Sequence, residues 1–144
     1  MKLDPRYFSQ QAYNEIIEIK GRLSAGDYDK AASLIQGLVA YISTWGLHRL
    51  SGDAKKFGRS DYVEETNYKA IIYTQFLGAL RKLSQIRFNP RDPNSLIGGA
   101  DSTTTLKTRD YLALDRLAIR LAREWSFWAP AVLEAPQPES DTVE

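Results

Sequence analysis

The sequence contains no cysteine and a single histidine. Without cysteine there is no disulfide framework, no thiolate metal site and no thiol–histidine nucleophile pair. One imidazole also cannot build the clusters of histidine or cysteine that hold most transition metals. No metal and no cofactor is therefore expected. A membrane-length apolar run is missing as well. The longest stretch without a charged side chain, Ala31 to Leu47, is shorter than the roughly 20 residues a span needs, and it carries several polar groups. The opening residues MKLDPRYFSQ lack the apolar core of a signal peptide, so a cytoplasmic address is the expectation. There is little excess of charge of either sign, the formal net charge being +1.

What is present is helical periodicity. Asp4-Pro5 is a helix start, a capping carboxylate followed by proline at the first helical position. Phe8, Ala12, Ile16, Ile19 and Leu23 then recur at steps of three and four, which predicts a helix over Pro5–Ser24. Asp27 is placed to cap a second helix running to about Leu50, with Ser51-Gly52 as its break. Its seam is Tyr28, Ala31, Ile35, Leu38, Ile42 and Trp45, and its outer side is small or neutral, so it reads as a central helix covered from more than one direction. Gly46, near the end of that helix, points to close approach by a neighbouring helix or backbone. Tyr68, Ile72, Phe76, Ala79, Leu83 and Ile86 mark a third helix from Tyr62 to Arg87, and Tyr111, Leu114, Ala118, Leu121, Trp125 and Trp128 a fourth from Leu106 to Ala129, stopped by Pro130. Between these two, residues 88–105 form a long irregular loop with two early prolines and Gly98-Gly99. The expected architecture is all-α: a bundle of four main helices, with room for a fifth short one and a long loop before the last helix. It forms one domain over residues 1–133, followed by a disordered acidic tail over 134–144.

Charge is segregated along the chain. Residues 1–65 hold nine basic and nine acidic side chains, the tail from Glu134 holds four acids and no base, and the body without the tail carries +5, all of it after residue 65. Segregation of this kind is what a polyanion-binding face requires. In the last helix, Arg109, Arg116, Arg120 and Arg123 are spaced seven, four and three residues apart. At about 100° per residue they share a sector of roughly 60° opposite the apolar seam. Asp115 and Glu124 lie on its flanks, where they can neutralise part of it. Arginine pairs with phosphate through two hydrogen bonds, which lysine cannot. Lys55, Lys56 and Arg59 surround Phe57 in a glycine-punctuated connector over 52–61, where Phe57 either stacks a base or tucks into the core. Arg81, Lys82 and Arg87 make the end of the third helix basic, which also complements its dipole.

An enzyme is not expected. His48 stands at a helix end, no nucleophile elbow accompanies it, and Ser43 occupies the position five residues before it, where helical ribonucleases carry arginine.

Ala32 to Leu38 leading into Gly46-Leu47 and then Phe57, Tyr73-Thr74-Gln75-Phe76-Leu77, and Trp125-Ser126-Phe127-Trp128-Ala129 together resemble the small helical subunit of type III CRISPR interference complexes, the Cmr-type form in particular. The resemblance spans about residues 10–130. It implies a non-catalytic subunit of a ribonucleoprotein effector in antiviral defence. Such a subunit stacks in copies beside other subunits of the complex and touches the backbone of guide RNA and target RNA without reading sequence. The residues that would do so here are Lys55, Lys56, Arg59, Arg81, Lys82, Arg109, Arg116, Arg120 and Arg123. The alternative is a helical protein-interaction module, an adaptor or assembly subunit with no nucleic-acid contact.

Overall fold

The computed structural model describes residues 4–58, 67–90, 92–97 and 106–133, and every regular element in them is helical. The helices are α1 (Pro5–Arg22), α2 (Tyr28–Gln36), α3 (Leu38–Trp45), α4 (Leu47–Phe57), α5 (Asn67–Ser84), α6 (Asn94–Ile97) and α7 (Thr108–Val132), with a 3-10 turn at Ala25–Asp27.

The first helix forms as its sequence dictates. The Asp4 carboxylate accepts from the Arg6 backbone N–H at 2.8 Å, Pro5 opens the helix, and Phe8, Ala12, Ile16 and Ile19 are buried. The organising element, however, is α7. It packs against α1, α2, α3 and α5, and its Trp125, fully buried, meets Phe76 of α5 edge-to-face at 5.1 Å. Three contacts set the direction of α1 along it. Arg120 lies over Phe8, Glu124 accepts from Ser9, and Trp128 meets Tyr13, so the two helices run parallel.

The expected second helix over Asp27–Leu50 is three helices. The chain breaks at Gly37 and again at Gly46, while Ser51-Gly52, the expected break, lies inside α4. Asp27 sits at the N-cap position but does not cap with its side chain, which accepts instead from the Ser24 hydroxyl at 3.1 Å. Trp45, assigned to the buried seam, is 50% exposed. The helix ends there, the backbone turns, and Leu47 fills the interior position. Half of the expected connector is therefore the C-terminal part of α4. Downstream, α5 ends at Ser84 rather than Arg87, and α6 punctuates the expected loop, with Phe88, Ser95 and Leu96 buried and the Ser95 carbonyl accepting from the Leu106 N–H at 3.1 Å. Pro130 does not stop α7 at Ala129. So close to the C-terminus it removes a single backbone bond, and buried Val132 and Leu133 draw the last turn onto the core. Arg59, the expected start of the third helix over 62–66, and the acidic tail over 134–144 lie outside the described residues.

Gly46 shows why glycine is required between α3 and α4. Its φ of +85° and ψ of 164° belong to a region essentially restricted to glycine. A Cβ there would sit 2.9 Å from the Tyr111 hydroxyl. That hydroxyl receives the His48 backbone N–H at 3.5 Å and lies 3.0 Å from His48 Nδ1, so α7 closes the uncapped start of α4. Close approach, expected from the sequence, is the observed use of this glycine. Gly46→Ala should destabilise the fold by about 2–4 kcal/mol, combining backbone strain with displacement of Tyr111. Urea unfolding of Gly46→Ala with and without Tyr111→Phe isolates the Tyr111 share, since Tyr111→Phe removes the hydroxyl clash and leaves the backbone strain and the 3.0 Å approach to the His48 ring in place.

Candidate nucleic-acid interface

The four arginines of α7 are exposed along one strip of the helix, over about 21 Å of its axis from Arg109 to Arg123. The same 3.6-residue period that turns Leu114, Ala118, Leu121 and Trp125 inward turns them outward. Among the described residues none of the four lies in an ion pair. The Arg120 guanidinium leans over the Phe8 ring at 4.8 Å, which orients it without cancelling its charge.

Both flanking acids are turned to other work. Glu124 accepts from the Ser9 hydroxyl at 2.5 Å and so ties α7 to α1. Asp115 faces the α3–α4 turn with Oδ1 buried and without a hydrogen-bond partner. Burial raises its pKa, opposed by the Leu47 N–H and by His48. The neutralisation of the arginine sector that the sequence allowed is therefore not made through ion pairs.

The other expected contacts stand apart from this strip. Lys55 and Lys56 lie in the last turn of α4, and Lys55 lines, with Arg22, an open cleft of about 420 Å³ between α4 and α5. Phe57 is half-buried against Tyr73, and the ammonium groups of Lys56 and Lys69 lie 5.1 and 5.0 Å from its ring centre. That packing favours the core reading of Phe57 over base stacking. Arg81 and Lys82 lie at the far end of α5, roughly 18 Å along the axis from Ala70, which lines the Lys55 cleft. With Arg87 they line a second cleft of about 460 Å³. The sequence-predicted residues thus form separate basic groups on α4, α5 and α7, and only the α7 group is a continuous line on one helix.

One exposed residue belongs to the strip and was not among the expected contacts. Phe127, 70% exposed, stands four residues after Arg123 and seven after Arg120, in phase with both. Its signal was present in the spacing, but Trp125-Ser126-Phe127-Trp128 reads as one apolar block unless each member is assigned its own helical phase. Leu112, 50% exposed, marks the edge of the strip nearer its start. His48, the sole imidazole, is held by Tyr111 at the α3–α4 turn as described above. Among the described residues no three potential ligands converge on a metal position, and no helix is long and apolar enough to cross a membrane.

Fold and surface together define an all-helical protein with an arginine line on α7 that makes no ion pair among the described residues. Set against protein-family models, curated proteins and solved structures, the chain matches none.

The interior holds one further titratable group of consequence. Glu15 on α1 is buried beside Trp125, whose indole N–H lies near it without forming a well-made hydrogen bond. Burial, aided by Glu18 and opposed by Lys82, raises its pKa from 4.5 to about 7. The folded state therefore holds this proton more tightly than the unfolded chain. Its contribution to stability is complete below about pH 4.5 and is lost as the pH rises to about 7. Glu15→Gln should flatten that loss and stabilise the protein at pH 8 by about 2 kcal/mol, a figure reduced from the full shift for partial solvent access. Thermal unfolding of both forms from pH 4 to pH 8 checks it; parallel pH profiles would refute it.

Proposed function

We propose that this chain is a non-catalytic, nucleic-acid-binding subunit of a ribonucleoprotein assembly. The type III CRISPR small subunit, which the sequence resembles, is the specific form of that reading. The observation that supports it is the arginine line of α7, four guanidinium groups exposed in one sector with the neighbouring acids bonded elsewhere or turned inward. Such a line suits phosphates. Phosphate contacts supply affinity and register without sequence information, the demand made on a subunit that follows a guide–target backbone beside other subunits. Lys55, Lys56, Arg59, Arg81 and Lys82 enter this reading as secondary contacts of a groove completed by neighbouring subunits.

A second reading, an adaptor that binds protein and no nucleic acid, draws on the apolar side chains Leu112 and Phe127 exposed along the same strip. The two diverge in salt dependence and in sensitivity to nuclease.

Reversal of Arg116, Arg120 and Arg123 to glutamate should weaken RNA binding by at least about 100-fold. It should also reduce the slope of log K against log salt by about 2, with the circular dichroism spectrum unchanged. Electrophoretic mobility shifts across a salt series measure both. RNA affinity equal to that of the parent chain would refute the reading, and partner binding that survives nuclease but not the reversal would transfer the strip to the adaptor.

A further inference from the structure

The arginine line ends on aromatic rings. Arg116, Arg120, Arg123 and Phe127 follow one another at steps of four, three and four, a single seam on the helix surface. At 70% exposure the Phe127 ring has a face open to solvent, and it stands edge-to-face on Trp128 at 4.9 Å. Trp128 in turn meets Tyr13 of α1 edge-to-face at 5.3 Å, and Tyr13 is itself 40% exposed. Beside these rings a shallow cleft of about 510 Å³ opens between the start of α1 and the end of α7, lined by Pro5, Gln10, Tyr13 and Trp128 among others.

A lone exposed phenylalanine needs no explanation. This one is held by a second ring, adjoins a cleft and continues a line of cations. A partner that matches the whole sequence of features carries regularly spaced anions on one edge and flat apolar rings on the other, and that is a single nucleic-acid strand. In a duplex the bases are stacked and paired, and no ring is free for Phe127. We propose that Phe127, with Trp128 and Tyr13 behind it, is a stacking site for an unpaired base of a single strand whose phosphates run along Arg123, Arg120 and Arg116. The inference rests on the proposed function in its general form, a nucleic-acid-binding subunit, and narrows the ligand to a strand with at least one unstacked base, which a fully paired guide–target duplex does not offer. Base–aromatic stacking is tolerant of sequence, so the site selects single strand over duplex without selecting a base.

The test uses the full chain, a fluorescently labelled 12-nucleotide uridylate RNA and a 12-base-pair RNA duplex, with affinities from anisotropy at low salt. Phe127→Ala and Phe127→Leu should each weaken binding of the single strand about tenfold, and Phe127→Trp should keep or tighten it, while duplex affinity stays the same in all three. Phe127 is exposed, so none of these changes threatens the fold. Leucine is the decisive substitution, because it preserves apolar bulk and removes the π face. Full strand affinity in Phe127→Leu would overturn stacking and match docking of an apolar protein segment. Equal losses on strand and duplex would overturn the selectivity. If deleting residues 134–144 tightened strand binding about tenfold and made Phe127→Ala neutral, stacking would be overturned and Phe127 would be assigned to the chain's own acidic, proline-containing segment. Strand binding lost on arginine reversal but indifferent to Phe127 would overturn this inference and leave the proposed function standing. No binding of either RNA by the parent chain would remove both.

Discussion

The structure depends on the double duty of α7, which must bury an apolar seam against α1, α2, α3 and α5 while keeping its other side wet. Trp125 anchors that seam. It is the largest fully buried side chain, and its edge-to-face contact with Phe76 fixes how α5 meets α7. A residue of this size held in one orientation constrains helix rotation more tightly than several leucines could, because turning α7 by even part of one residue step would expose ring area worth a few kcal/mol. Fixing the rotation fixes the surface as well. With Trp125 inward, the arginines and Phe127 can point nowhere but out. Packing and surface charge are thus two readings of one helical phase, and the core specifies where the charge goes.

That coupling explains which parts of the fold were legible in the sequence. The first helix was, because Asp4-Pro5 and the seam from Phe8 to Ile19 state both its start and its buried face. The phase of α7 was legible for the same reason. The division of the expected second helix into α2, α3 and α4 was not, since the apolar steps from Ala31 through Ile42 continue in register across Gly37. Gly37 itself keeps a right-handed backbone at φ −86°. A helical period measures spacing, and an interruption at one residue with right-handed backbone leaves that spacing intact. The turn at Gly46 does reverse the pattern, burying Leu47 and exposing Trp45, but the signal lies in the contact with Tyr111, more than sixty positions away in the chain. The same blindness to distant contacts hid the helical state of Lys55 and Lys56, whose segment is glycine-flanked and polar yet is held by packing of α4 on α5. At the candidate site, the spacing disclosed the arginine line. It did not disclose the fate of the flanking acids, because Ser9 and the α3–α4 turn reach Glu124 and Asp115 from other parts of the chain.

Those two acids decide how the surface behaves electrostatically. An arginine strip with carboxylates alongside normally closes into local ion pairs, each worth little for stability but sufficient to reduce the field felt by a ligand. Here Glu124 is engaged by a hydroxyl and Asp115 is drawn toward the amide end of α4, where its charge offsets an uncapped helix start. The protein thereby uses these two carboxylates within its own fold and leaves the four guanidinium groups of α7 without a carboxylate partner among the described residues. Uncompensated cations in one sector repel each other and add nothing to folding, so their arrangement is unfavourable to the isolated chain by a small amount. A bound row of phosphates would remove that repulsion and release condensed counterions at the same time, which makes the strip worth more in a complex than alone. Phe127 follows the same logic on the apolar side. An exposed ring forgoes about 1.5–3 kcal/mol of burial energy in the free protein and recovers it only when something flat covers it. Two unfavourable features, charge with no carboxylate partner among the described residues and an aromatic ring left largely exposed, lie in one helical phase and can be relieved by one ligand. A ligand carrying only anions would relieve the first, and an apolar peptide only the second. A strand that presents both along its length relieves them together, which is the physical argument for treating the arginines and the phenylalanine as one surface.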